Sequence, residues 1–67
     1  MKNNIRIQRA ILDISQEELA KAVGCSRNTI NVMEGNSYVP STLLAMRIAR
    51  YFGRYVEEIF EFEAHEL

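Results

Sequence analysis

Few side chains in this sequence are of types that break bonds, and none stands in an arrangement that would do so. Cys25 is the only thiol and His65 the only imidazole. His65 has Glu63 and Glu66 beside it, fewer ligands than a metal site needs. No nucleophile has a recognisable base and orienting group, and no glycine-rich phosphate loop precedes a helix, so no catalytic residue, metal or cofactor is expected. Cys25 reads as a small hydrophobe in a turn rather than a redox switch. Recognition by charge remains. Residues 1–50 hold Lys2, Arg6, Arg9, Lys21, Arg27, Arg47 and Arg50 against Asp13, Glu17, Glu18 and Glu34, whereas residues 51–67 hold Arg54 against Glu57, Glu58, Glu61, Glu63 and Glu66. The net charge of −1 therefore conceals a polarised chain whose first fifty residues suit a polyanion such as nucleic acid.

The punctuation of the chain indicates how those residues are positioned. Ser15-Gln16-Glu17-Glu18 is a capping box, with the serine oxygen accepting from the amide three residues on and Glu18 reaching back, so a helix starts at Gln16. Ile14 and Leu19 form a hydrophobic staple across that start, and Gly24 ends the helix in a left-handed conformation. Ser26 caps again, with Cys25 and Ile30 as the staple, predicting a helix from Arg27 to about Glu34. Upstream, Asn4 is placed to cap a helix through Leu12 with Ile5, Arg9 and Leu12 facing inward. Downstream, Pro40-Ser41 opens a fourth helix carrying Leu44, Ala45, Ile48, Ala49 and Phe52 on one stripe, and Gly53 closes it. A short fifth helix covers Val56 to Phe60. Phe60-Glu61-Phe62-Glu63 then alternates with the period of a strand, and its one plausible short partner is the segment Lys2 to Asn4.

Counting from Gln16, a small residue (Ala20) falls fifth, Gly24 ninth and Ile30 fifteenth. Two helices that cross steeply over so short a turn need little side-chain bulk where they touch, a glycine at the bend and a branched hydrophobe to lock the second helix. The same spacing also fits an ordinary helical hairpin in a bundle. With Ser15-Gln-Glu-Glu-Leu-Ala20, Val23-Gly-Cys-Ser-Arg-Asn-Thr-Ile30, Tyr38-Val-Pro-Ser41, Ile48-Ala49, Phe52-Gly53 and Glu57-Glu-Ile-Phe60, however, nearly the whole chain resembles the lambda-repressor-like, or Xre-type, helix-turn-helix regulators. That resemblance implies an all-α domain over residues 1–67, with five helices, a helix-turn-helix unit at 16–35 and a short antiparallel two-stranded sheet from the two termini.

The resemblance further implies a third helix that enters the major groove of double-stranded DNA, with Arg27, Asn28, Asn31 and Val32 meeting base edges. Arginine can pair with guanine O6 and N7, asparagine with adenine N6 and N7, and valine with a thymine methyl. Gln16, Ser26, Thr29, Asn36, Ser37 and Tyr38 correspond to backbone-contacting positions, and Arg9 and Glu34 to a structural ion pair. The family usually has glutamine where Asn28 stands. It commonly reads Asn-Gly then lysine after the recognition helix, where this chain has Gly35-Asn36-Ser37, so one ionic contact is missing and a shallower salt dependence is expected. Tyr55 replaces a common serine or threonine cap.

A chain of 67 residues holds one small core and gains stability by pairing, so a homodimer is expected, with Phe60, Phe62 and Leu67 of the tail (residues 60–67) as its contact. No apolar run reaches membrane-spanning length and the start carries no signal-peptide pattern, so a cytoplasmic location and no membrane partner are expected. The leading expectation is a homodimeric repressor on a palindromic site. The alternative is a protein-interaction module, an antitoxin or adaptor, that holds a protein partner through Ile7, Ile11 and Leu43, positions usually polar in the family.

Overall fold

Three of the five helices stop at a residue in the left-handed conformation, Asp13, Gly24 and Gly53. The computed structural model describes residues 1–67, with β1 at Lys2–Asn3, α1 at Ile5–Leu12, α2 at Gln16–Val23, α3 at Arg27–Glu34, α4 at Thr42–Phe52, α5 at Val56–Ile59 and β2 at Phe60–Glu61; a single 3-10 turn follows at Ala64–Glu66. Ser15 accepts from the Glu18 amide at 3.0 Å while Glu18 accepts from the Ser15 amide at 3.1 Å, completing the box at the start of α2. Gly24 has φ +80°, and the carbonyl of Ala20 accepts from both the Gly24 and Cys25 amides at 2.9 and 3.0 Å. That double acceptance lets α3 begin only four residues after α2 ends. Ser26 and Ser41 cap α3 and α4 in the same way, accepting from Thr29 and Leu44 at 3.0 and 3.2 Å. Tyr55 lacks a side-chain cap bond at α5, where its amide donates to Glu58 Oε1 at 2.8 Å instead.

The core lies where α1 to α5 converge. Its fully buried side chains are Ile5, Leu19, Ile30, Met33 and Ile48, supplied by four different helices, each worth roughly 1.5–3 kcal/mol of apolar burial. Ala20 is 2% exposed in the closely packed α2–α3 unit, where a larger side chain would force the helices apart. The strands pair antiparallel, Lys2 with Glu61 and Asn3 with Phe60, so the two ends of the chain form one small sheet.

Three details differ from the sequence expectation. Leu12 is 48% exposed, because the chain turns at Asp13 (φ 54°) and brings Ile14, not Leu12, against the core. Asn4 stands at the cap of α1 but makes no cap bond; its Nδ2 donates to the Glu58 carbonyl at 2.9 Å, and Asn3 Oδ1 takes the Ile5 amide at 3.1 Å. Phe60 is 2% exposed within the protomer's own core, because β2 directs alternate residues to opposite faces and Phe60 falls on the inner one. Its ring is thus unavailable as a dimer contact, whereas Phe62 and Leu67 remain outside, 37% and 94% exposed.

Candidate nucleic-acid interface

A helix can read a ligand only if something else holds it. On α3 that hold comes from Ile30 and Met33, both fully buried, and from Glu34, whose side chain is 1% exposed. Arg9 of α1 grips both Glu34 oxygens, Nε to Oε2 at 2.6 Å and Nη2 to Oε1 at 3.1 Å, and sends Nη1 to the Ile14 carbonyl at 2.9 Å. One guanidinium therefore fastens α1 to the α1–α2 turn and to the end of α3. Gln16 Nε2 adds a third donor to Glu34 at 3.0 Å, and the exposed Arg6 lies 3.6 Å away.

The electrostatics follow from that geometry. Burial opposes ionisation of Glu34, but hydrogen bonds from Arg9 and Gln16 and the charges of Arg9 and Arg6 overcome it, so its pKa lies below the ordinary carboxylate value. The same bond to Glu34 raises the pKa of Arg9. Burial pushes the Cys25 thiol up, away from the reactive thiolate.

Away from these buried groups, Arg27, Asn28 and Asn31 are exposed and Val32 is half-buried, with Asn31 bordering Glu34 one turn along the helix. Arg27 and Asn28 form no intramolecular side-chain bond or ion pair; Asn31 Oδ1 accepts from Gln16 Nε2 at 3.3 Å. Ser26 and Thr29 hydroxyls bond each other at 2.8 Å at the start of the helix. Beyond its end, Asn36 takes the left-handed conformation (φ 61°), which asparagine tolerates, while Gly35 does not need its own freedom (φ −81°). Asn36 Oδ1 accepts from Asn3 Nδ2 at 3.0 Å, and the same nitrogen donates to the Met33 carbonyl at 2.7 Å. The exposed Ser37 and Tyr38 follow, with the Ser37 hydroxyl 3.5 Å from the Gly35 carbonyl.

Gln16, Ser26, Arg27, Asn28, Thr29, Asn31 and Val32 thus belong to a single two-helix unit, with Asn36 to Tyr38 in the loop that leaves it. Gln16 differs from its expected role in one respect. Its side-chain donors turn inward, so its contribution at the N-terminus of α2 comes from the backbone amide, which has no partner within the helix. The sequence does not single out Asn3. Its partners lie 30 and 33 residues away, and no local pattern announces such a bond. His65 and its neighbouring glutamates form no cluster able to ligate a metal.

The profile of the helix-turn-helix family matches residues 5–59. The chain is 46% identical over 66 residues to an HTH-type transcriptional regulator of Methanocaldococcus jannaschii, covering 98% of this chain and 100% of that protein. One such regulator of Archaeoglobus fulgidus is 46% identical over 67 residues, covering 100% of this chain and 94% of its own. A third, YgzD of Bacillus subtilis, is 41% identical over 63 residues, covering 94% and 96%.

Proposed function

Since the chain belongs to the helix-turn-helix family, in its lambda-repressor-like branch of DNA-binding transcription regulators rather than enzymes, we propose that it is a homodimeric, sequence-specific repressor of a palindromic operator. The observation that carries this reading is the division of α3, anchored through Ile30, Met33 and Glu34 while Arg27, Asn28 and Asn31 stand outward. Arg27 suits the paired acceptors of guanine and Asn28 the adenine edge, with Val32 beside a thymine methyl. The α2 N-terminus, Ser26, Thr29, Asn36, Ser37 and Tyr38 take the phosphates. With Ser37 where the family commonly has a lysine, those phosphate contacts are neutral, so affinity falls less steeply with salt than for a more basic member.

The supporting feature for pairing is apolar surface left outside the core. Phe62 borders a cleft with Val39, Pro40, Met46 and Val56, and Leu67 is exposed at the C-terminus. Covering that cleft by a second copy adds to a core that is small for a lone chain. Two recognition helices about 34 Å apart then meet half-sites one turn apart, and occupancy blocks polymerase. No helix is long and apolar enough to cross a membrane, which is compatible with a partner of this kind.

Titration against operator fragments obtained by unbiased selection tests the reading, with Arg27→Ala and Asn28→Ala in parallel. Equal binding to all sequences, and variants that bind like the parent, would refute it. A second reading draws on Ile7 and Ile11, one turn apart on α1 and 62% and 65% exposed, with Leu43 58% exposed on α4. A protein partner held there would be lost on Ile7→Glu with Ile11→Glu while DNA binding persisted.

A further inference from the structure

We propose that Gln16 is a positioning residue that fixes which way the Asn31 carboxamide faces, and so makes Asn31 a reader of guanine rather than of adenine or cytosine. The inference rests on α3 lying in a major groove, as proposed above. The chain of bonds starts at Glu34. Ionised between the two nitrogens of Arg9, and 1% exposed, this carboxylate can only accept. Gln16 must therefore turn its amide nitrogen toward it, and Nε2 lies 3.0 Å from Glu34 Oε1; the reverse orientation would set two oxygens against each other. A primary amide nitrogen has a second hydrogen. That hydrogen is directed at Asn31 Oδ1, which lies 3.3 Å from the nitrogen.

Asn31 is thereby left with its oxygen engaged on the protein side and its Nδ2 free. A group that only donates matches the two major-groove acceptors of guanine, N7 and O6, and opposes the amino group of cytosine. It also forgoes the two-bond adenine pair, which requires the asparagine oxygen as well as its nitrogen. Arg9, Glu34, Gln16 and Asn31 therefore form one line of donors and acceptors from α1 to the helix surface, and its polarity is set by a buried charge. The first two members do not touch DNA, yet they determine what the last one presents to it.

The experiment is selection of bound duplexes by the full chain, followed by titration of four duplexes differing at the base pair whose preference Asn31→Ala abolishes. The unchanged protein is expected to favour guanine over cytosine there by roughly tenfold, the lower end of what a good base contact supplies. Gln16→Leu frees the Asn31 amide and brings that ratio to about one, with the preferences at other positions unchanged. Asn31→Asp, which keeps the Gln16 bond but presents only acceptors, reverses the ratio in favour of cytosine. This second variant leaves the core and the Arg9–Glu34 pair intact, so it reports even if Gln16→Leu proves unstable. The proposal is overturned if Asn31→Ala alters no position, if Gln16→Leu leaves the guanine preference in place, or if Asn31→Asp still selects guanine. Absence of any consensus with the unchanged protein would instead overturn the groove reading, and this proposal with it.

Discussion

Ile30, Met33 and the Glu34 side chain, which α3 buries, and Arg27, Asn28 and Asn31, which it leaves exposed, belong to the same eight-residue helix but answer to different constraints. On the inner side every group is committed, the hydrophobes to the core and the carboxylate to Arg9 and Gln16. On the outer side Arg27 and Asn28 are committed to nothing within the chain. A helix this short has little stability of its own, so its shape is borrowed from the inner face. The outer residues can then be chosen for a ligand, because folding asks almost nothing of them.

The largest expected effect comes from emptying the inner face. Ile30→Ala leaves a cavity under α3 and should cost about 3–4 kcal/mol, against a total stability of roughly 3–10 kcal/mol for a chain of this size. Urea denaturation followed by circular dichroism measures it, and a loss under about 1 kcal/mol would mean that the core is not what holds α3.

Next in size is the buried charge. Arg9→Met leaves Glu34 without its main partner and is expected to cost about 3 kcal/mol, the low end for breaking a buried pair, because Arg9 is itself 16% exposed. The pH dependence has a definite sign. Glu34 has a folded-state pKa below its ordinary value of 4.5, so its contribution is complete above that value and is lost as pH falls through the folded one. Arg9 stays charged throughout and adds no slope. The stability difference between the parent and Glu34→Gln should therefore shrink as the solution is acidified; a constant difference between about pH 6 and pH 3 would contradict the assignment.

How far these two faces were legible in the sequence depends on the range over which each signal acts. Caps act locally, so Ser15 with Glu18, then Ser26, Ser41, Gly24 and Gly53, mark α2, the start of α3 and the limits of α4 within a few residues of their ends. Periodicity identifies a face but not where the core ends, which is why Leu12 lies on the inward line of α1 and yet is exposed. Alternation at Phe60 to Glu63 marks a strand without saying which ring its own protomer covers. Nothing in the spacing of Arg9 and Glu34 pairs them, and the family resemblance alone points to that bond. The bonds from Gln16 to Asn31 and from Asn3 to Asn36 span 15 and 33 residues, and such bonds appear only once the fold has brought the partners together.

The two ends of α3 sharpen the comparison at a smaller scale. Gly24 precedes the helix with φ +80°, and a Cβ there would lie 3.4 Å from Arg47 Nη1, the movable end of a long side chain. Gly24→Ala is therefore expected to cost about 1–2 kcal/mol, mainly for the left-handed backbone. Gly35 follows the helix in an ordinary conformation, with the Val32 carbonyl 3.6 Å from a Cβ. Gly35→Ala should be neutral, or stabilising by up to about 1 kcal/mol through a less flexible unfolded chain. Equal losses at both glycines, read from denaturation midpoints, would show that the turn into α3 is no more constrained than the turn out of it.

The smallest expected change in stability belongs to the outer face, and it is the most discriminating. Arg27 is exposed, lies one residue beyond the Ser26 cap and forms no ion pair, so Arg27→Ala should leave the unfolding free energy within about 0.5 kcal/mol of the parent. Removing a paired contact to guanine should at the same time weaken specific DNA binding by about 1–3 kcal/mol, roughly fivefold to more than a hundredfold. Denaturation and duplex titration on the same preparation measure both quantities. If the two losses are similar in size, Arg27 serves the fold as well as the ligand, and the separation of faces on α3 is not a real one. If only binding falls, a single eight-residue helix holds its position with one side and exerts its selectivity with the other.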